Sequence, residues 1–420
     1  MLTKRNLSKC PIVYVTIDDI CSGLFTSQVL PALIKCAQLD AGRTFQVLVV
    51  NRLWKIHDHR RRLNIIHKTI LPNNLSIRYI PLLPPLRKSA GSKLYSKFVT
   101  NYLSLLVRIF LGRTKVIVHA RSYWPCAASL QAGAKAVIFE PRSLWTLENV
   151  AMGDIREGSS AEVYWNDLEK VCVLKSERVV SINTAMADYF CERYNSKRKN
   201  EVIPISFSDQ LFFYNEKKRD EIRSDLSLVN KRVFVYSGSF GMSQIGLKCI
   251  TNTVRMIHSS VDDAHFLFLT PSHEELAVST VVDQAGLSDR SFTSIHPTFD
   301  QITDYLSAAD FGYHALPSQQ DSFTRMGTKI VEYFAAGLPV IVNRHVGAAA
   351  KILEENSYGF VIDEDMPSEV ILKKLSSLSK LKRLEIAQAS RERYEVAIVA
   401  KSYLQIYREL DVLKDGAAVQ

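Results

Sequence analysis

The residue types most able to do chemistry are concentrated in one run, Asp321 to Val342 (DSFTRMGTKIVEYFAAGLPVIV). Two cations, Arg325 and Lys329, share it with the carboxyl of Glu332 and the hydrogen-bonding side chains of Asp321, Ser322 and Thr324. The order reads as loop, helix, turn and buried strand. Gly327-Thr328 is a helix entry and N-cap, Gly337 is a stop, and Leu338-Pro339 leads into Val340-Ile341-Val342. A helix N-terminus beside Arg325 and Lys329 is a seat for an anion, because unpaired backbone N–H groups and the macrodipole both favour negative charge there. Phosphate is the expected guest.

Elements able to hold such a loop recur along the chain. Ile12–Thr16, Phe45–Val50 and Ile77–Ile80 read as buried strands alternating with helical segments, the pattern of a parallel, doubly wound α/β sheet. Ligands of such sheets bind at the carboxyl ends of the strands. Ser22 and Gly23 lie at one such end, where a ligand contact and a plain helix-start turn are both open readings. The strand around Val116–Val118 ends in His119-Ala120-Arg121-Ser122, which places His119 either against a ligand or in the core. Ala136–Phe139 leads to Glu140 and Arg142 at another strand end, as a structural ion pair or facing an acceptor. After Val202–Ser206 a polar stretch, Asn215–Asp220, marks a domain crossover. The pattern then restarts with Val233–Tyr236 and the small-residue loop Ser237-Gly238-Ser239-Phe240-Gly241, whose amides are expected to converge on phosphate although the spacing is not that of a P-loop.

The run Lys329, Glu332, Tyr333, Gly337, Pro339 and Val340 resembles the donor-binding segment of GT-B fold glycosyltransferases of the retaining family 4 type, with its T-K-x-x-E-Y…G-x-P-V pattern. The resemblance implies two Rossmann-like domains facing each other across a cleft: 1–206 on the acceptor side, 207–390 for the nucleotide-sugar, and a helix in 391–420 crossing back to the first. By position Glu332 takes the ribose hydroxyls and Lys329 the diphosphate. The place eight residues before Glu332, Glu in many relatives, is Thr324 here. Val118-His119-Ala120-Arg121 is similar to the family's V-H-x-R motif, whose His meets the donor sugar. Glu140-Pro141-Arg142-Ser143-Leu144-Trp145 resembles a D-x-R-G-x-W segment of some members. The family's Arg after the first glycine loop of the second domain is absent, which leaves phosphate neutralisation to Arg325 and Lys329.

The whole composition agrees with a soluble globular protein, and the length suggests two domains: 420 residues, 47% hydrophobic and 23% charged. A formal charge of +10 favours an anionic partner. The seven cysteines form no CxxC pair and no ligand spacing, and read as core residues in a reducing cytoplasm. His57-Asp58-His59 lacks a third metal ligand nearby. No signal segment and no spanning segment is expected. Basic residues nevertheless gather from Arg52 to Lys68 and at Arg87, Lys88, Lys93 and Lys97, followed by Tyr95, Phe98, Tyr102, Leu103, Leu105, Leu106, Ile109 and Phe110. That stretch is either a solvated face or a surface for an anionic leaflet.

The expected activity is therefore retaining transfer of a sugar from a nucleotide-diphosphate-sugar to a glycan or lipid-linked acceptor, in cell-surface polysaccharide synthesis, by a cytoplasmic or peripheral membrane protein. No cofactor or metal is expected, since Asp363-Glu364-Asp365 reads as a solvated loop. Asp321, Ser322, Thr324 and His119 would hold the sugar, and Arg325, Lys329, Glu332, Ser22, Gly23, Ser237, Gly238 and Ser239 the rest of the donor. Glu140 and Arg142 would face the acceptor. The rival readings are a catalytically silent scaffold, a nucleotide-sugar epimerase, and a nucleic-acid binder for which no RRM, KH or helix-turn-helix pattern is visible.

Overall fold

The computed structural model describes residues 9–69, 71–82, 91–112, 114–196, 199–240 and 244–416. Arg87, Lys88 and Gly241 lie outside them. The chain forms two compact units, one of residues 1–206 with 396–420 and one of residues 207–395.

The first unit runs β1 (Ile12–Thr16), α1 (Leu30–Leu39), β2 (Phe45–Arg52), α2 (Ile56–Thr69), β3 (Leu75–Leu82), α3 (Lys93–Leu111) and β4 (Ile117–Arg121). It continues with α4 (Tyr123–Gln131), β5 (Val137–Glu140), α5 (Trp145–Ala151), α6 (Ser160–Lys175), β6 (Arg178–Ser181), α7 (Thr184–Tyr194) and β7 (Lys199–Val202). The strands pair in parallel in the order β3-β2-β1-β4-β5-β6-β7. Strands such as β1 and β4 are buried along their whole length, as their unbroken apolar sequences require when helices cover both faces.

The second unit repeats the plan: α8 (Glu216–Asp225), β8 (Arg232–Ser237), α9 (Gln244–Ser260), β9 (Ala264–Leu269), α10 (Glu275–Ala285), β10 (Phe292–Ile295) and α11 (Ile302–Ala308). Then come β11 (Phe311–His314), α12 (Thr328–Ala335), β12 (Val340–Asn343), α13 (Gly347–Asn356), β13 (Gly359–Ile362), α14 (Ser368–Leu378) and α15 (Arg383–Tyr394). Its six parallel strands are ordered β10-β9-β8-β11-β12-β13. Each sheet reverses direction once, between β1 and β4 and between β8 and β11. Those reversals open the crevices in which doubly wound sheets bind ligands.

The closing helix α16 (Val396–Gly416) returns to the first unit, packing Val399, Tyr403, Tyr407 and Leu410 into the core that holds Ile12, Leu33, Val47 and Ile117. It begins at Val396 rather than near Arg391, because α15 ends at Tyr394, whose carbonyl accepts from the Phe207 amide (3.0 Å) as Phe207 bridges Glu395. The strand expected at Val202–Ser206 is instead β7, three residues earlier at its start. As an edge strand it needs no apolar run, whereas Pro204 could not donate to a ladder.

Candidate functional site

In the second unit the crevice between β8 and β11 gathers Tyr236, His314, Lys329 and Glu332. Helix α12 buries Ile330, Val331 and Phe334 and leaves Lys329 and Glu332 half-buried, three residues apart and therefore on one face. No side chain caps its first turn, so Thr328 does not act as the N-cap; Gly327 occupies that place. The Lys329 ammonium donates to Tyr236 Oη (2.9 Å) and lies 4.0 Å from the centre of the same ring. Among the described residues no ion pair holds it. Burial lowers its pKa to about 7 against the opposing pull of Glu332 and Glu274, and burial raises that of Glu332 to about 7 against the pull of Lys329.

Tyr333, four residues after Lys329, points into the sheet and accepts from the Ser237 amide (2.8 Å). The Gly238 amide donates to the Leu269 carbonyl (2.8 Å). These two amides are therefore already engaged, and the expected phosphate nest does not include them. Gly238 has a different use: its φ of +106° makes a turn that strains any side chain. Ser239 sets its hydroxyl on Glu274, and its carbonyl accepts from Tyr236 Oη (2.9 Å).

The loop before α12 is braced internally. Thr324, buried, donates to the Asp321 carbonyl (3.0 Å), and Ser322 Oγ accepts from the Gln319 amide (2.9 Å). Arg325 pairs with Asp321 Oδ2 (2.9 Å) and also reaches Gln319. Its charge is thus largely answered within the loop, unlike that of Lys329. Asp321 is 3% exposed, and its second oxygen has no hydrogen-bond partner among the described residues.

Sequence reasoning passed over His314, which ends β11 beside this loop. It is buried, its Nδ1 has no partner among the described residues, and a Cβ on Gly327 would lie 3.1 Å from its ring. Burial, reinforced by Lys329 and Arg325, holds its pKa well below the usual imidazole range, so it stays neutral. A polar residue closing an apolar strand was the available signal, the same one that singled out His119.

The first unit carries its own cluster at the β1/β4 crevice. His119 is 0% exposed, enclosed by the rings of Tyr14, Tyr403 and Tyr407, with Nδ1 2.7 Å from Tyr407 Oη and Nε2 3.1 Å from Glu140. It presents no surface to a ligand, so the direct sugar contact expected of it is replaced by a core role beneath Glu140. Ser22 caps the π-helical turn Phe25–Val29 by accepting from the Phe25 amide (3.2 Å), and exposed Gly23 has open space at its Cβ position and an ordinary φ. Neither shows a geometry that requires a ligand. Glu140 and Arg142 do form the expected ion pair (3.1 Å).

His59 meets Asp19 (2.8 Å) rather than His57, and with Cys21 these donor atoms lie within 4.8 Å of one another. Lys55 already pairs with that carboxylate.

Two Rossmann-like units with matching strand orders, the second holding a Lys-x-x-Glu helix at its crevice, define the GT-B fold. Residues 231–380 match the family described as "Glycosyl transferases group 1". No curated protein matches the chain by sequence. Among solved structures, sucrose-phosphate synthase from Thermosynechococcus elongatus is similar with a TM-score of 0.70 and 16% identity, over 96% of this chain and 100% of that one. HepE of Anabaena in complex with UDP is similar with a TM-score of 0.65 and 14% identity (95% and 100% covered). An α,α-trehalose-phosphate synthase (UDP-forming) from Burkholderia vietnamiensis follows with 0.63 and 10% (96% and 100% covered). At such identities the fold is what is shared. The resemblance to GT-B glycosyltransferases read from Lys329, Glu332 and their neighbours is borne out.

Proposed function

We propose that this protein transfers a sugar from a nucleotide-diphosphate-sugar to a glycan or lipid-linked acceptor with retention of configuration, in cell-surface polysaccharide synthesis. The observation that carries this reading is Lys329, a half-buried ammonium at the start of α12 against Tyr236 of β8, without an ion-pair partner among the described residues, with the Glu332 carboxyl one turn on. Departure of a nucleoside diphosphate builds negative charge on its phosphates, and a fixed cation in a low-dielectric crevice stabilises that charge. Glu332 can accept from the ribose diol. The similarity to a UDP complex of HepE supports a nucleotide-sugar as donor. Neutral His314, beside Lys329, and Asp321, one of whose buried oxygens has no partner among the described residues, take the role of holding the sugar.

No metal is required in this scheme, because Lys329 supplies the charge that a divalent ion supplies elsewhere. Incubation with a panel of UDP- and GDP-sugars, with and without chelator, is expected to release UDP or GDP in both conditions. Release abolished by EDTA and restored by a divalent ion would remove the metal-free scheme. Nucleotide binding without turnover would identify a silent scaffold, and an isomerised sugar without acceptor an epimerase.

We place the protein at the cytoplasmic face of a membrane. No helix among the described residues is long and apolar enough to cross one. On α3, however, Tyr95 and Leu103 turn into the core while Leu94, Phe98, Leu105 and Ile109 are exposed beside Lys97 and Arg108, and the helix contains no acidic residue. An apolar stripe with cationic flanks suits an anionic leaflet. Flotation with anionic vesicles is expected for the native chain and lost when Leu94 and Phe98 are changed to Glu; equal flotation of both would exclude this face.

A further inference from the structure

The first unit holds a group of ionised side chains that the donor chemistry does not use. Glu140, 1% exposed, accepts on one oxygen from both Arg121 (2.9 Å) and Arg142 (3.1 Å), and on the other from Tyr14 (3.2 Å). Burial alone would raise its pKa, but Arg121, with His119 and Arg142 behind it, holds it well below the usual carboxylate range. Glu140 is therefore a permanent anion, and the question is how its charge is divided.

The division is unequal. Arg121 has a second carboxylate of its own, Asp18, at 2.5 Å. Among the described residues Arg142 has none, and its other hydrogen bond goes to the neutral amide oxygen of Gln28 (2.7 Å). Two guanidiniums thus share one oxygen, and the one with less compensation is also the accessible one: the Arg142 side chain is 18% exposed, against 4% for Arg121. Burial and the nearby Arg121 both lower the pKa of Arg142, as expected for a cation short of negative charge.

The backbone fixes this arrangement. Arg142 has φ +70° and Ser122, at the neighbouring strand end, +80°, a region that non-glycine residues enter only when the surroundings hold them there. Arg142 borders a cavity of about 20 Å³ shared with Gln28, Ser206 and Tyr403, space for a water or a single ligand oxygen.

We propose that Arg142 anchors a phosphate group carried by the acceptor, its guanidinium leaving the shared Glu140 oxygen to grip two phosphoryl oxygens. This rests on the glycosyl-transfer reading and names the acceptor class as a phosphate ester. A planar guanidinium fits phosphate in a bidentate manner, and a dianionic phosphate competes with Glu140 where a carboxylate would only equal it. Both a soluble sugar phosphate and a lipid phosphate offer this chemistry.

The test uses the full chain with glucose 6-phosphate in solution and with farnesyl phosphate in phosphatidylcholine vesicles, glucose and farnesol serving as controls. At least one phosphate is expected to bind, and neither control. Binding of the soluble ester alone assigns a soluble acceptor, and of the vesicle ester alone a lipid-linked one. Arg142→Gln should weaken binding by about 10- to 100-fold, the loss of a charge-assisted pair. Arg142→Lys, which keeps charge without the fork, should fall between, and Lys329→Met should bind like the native chain. Undiminished binding to Arg142→Gln, dependence on Lys329 instead, or no binding of either phosphate while UDP or GDP still binds would overturn the proposal and leave the glycosyl-transfer reading standing. Failure of the nucleotides themselves would remove that reading too.

Discussion

At the scale of single residues, the proposed donor site is a problem of two opposed titrations. Lys329, with its pKa lowered to about 7, is charged below that pH and loses its proton above it; Glu332, raised to about 7, gains its charge over the same range. A bound diphosphate favours the ammonium strongly, whereas a neutral ribose hydroxyl gains less from the carboxylate, so the lysine decides the sign. Affinity for a nucleotide-sugar, whose diphosphate does not titrate here, is expected to fall as pH rises through 7, towards about tenfold per unit for one proton. Titration calorimetry of UDP- and GDP-sugars across this range is the measurement. Lys329→Arg should flatten the fall, because guanidinium stays charged. Glu332→Gln should lower affinity by about 10-fold or more through the lost charged hydrogen bond, and should steepen the fall by removing the opposing titration. An unchanged profile in Lys329→Arg would mean that this ammonium does not meet the phosphates.

At the scale of elements, the site depends on how α12 seats on its sheet. Tyr333 lies flat against Gly312 of β11, where a Cβ would come within 2.4 Å of the ring, and from there its hydroxyl reaches the Ser237 amide. Gly312→Ala must therefore displace α12, with an expected loss of about 1–3 kcal/mol from overpacking and a parallel loss of nucleotide binding. Tyr333→Phe keeps the ring but orphans a buried amide, at a similar cost of about 1–3 kcal/mol. Denaturant unfolding of both variants beside nucleotide titration separates the two effects, since Tyr333→Phe leaves Lys329 in place. Much of this was legible beforehand: unbroken apolar runs gave β1, β2, β4 and β12, and the Gly337-Leu338-Pro339 turn gave the end of α12. What escaped was carried by tertiary pairing. Residue type names Thr324, Ser322 and Arg325 as able to bind a sugar or phosphate, but not that the Asp321 carbonyl, the Gln319 amide and the Asp321 carboxylate already occupy them. The same applies to Ser237 and Gly238, whose amides go to Tyr333 and Leu269. β7, with the polar sequence KNEV at a sheet edge, had no apolar pattern to reveal it.

At the scale of the molecule, the chain closes its first unit with its last helix, and a buried charge explains why that closure is specific. Arg43 is 1% exposed and places its guanidinium between Asp40 (3.0 Å), beside the end of α1, and Asp411 (2.6 Å) of α16. Burial would raise the pKa of Asp40, but hydrogen bonds from Lys9 and Arg43 outweigh it and lower the pKa. The stability this contributes is present above the unfolded carboxylate value of about 3.9 and is lost as pH falls through the lower folded one. Removing Asp411 alone leaves the buried Arg43 with one of its two carboxylates, so Asp411→Ala is expected to destabilise the first unit in denaturant unfolding, by at most about 3–5 kcal/mol. Nucleotide affinity, which the proposed function assigns to the second unit, should survive at temperatures where the variant remains folded. Arg43→Met with Asp411→Leu, which removes the cation together with its α16 carboxylate and leaves Asp40 paired with Lys9, should unfold later than Asp411→Ala, because Arg43 is then no longer buried short of a partner. If the double variant were the less stable of the two, the helix would be held by the ion pair itself rather than by the apolar contacts of Tyr403, Tyr407 and Leu410.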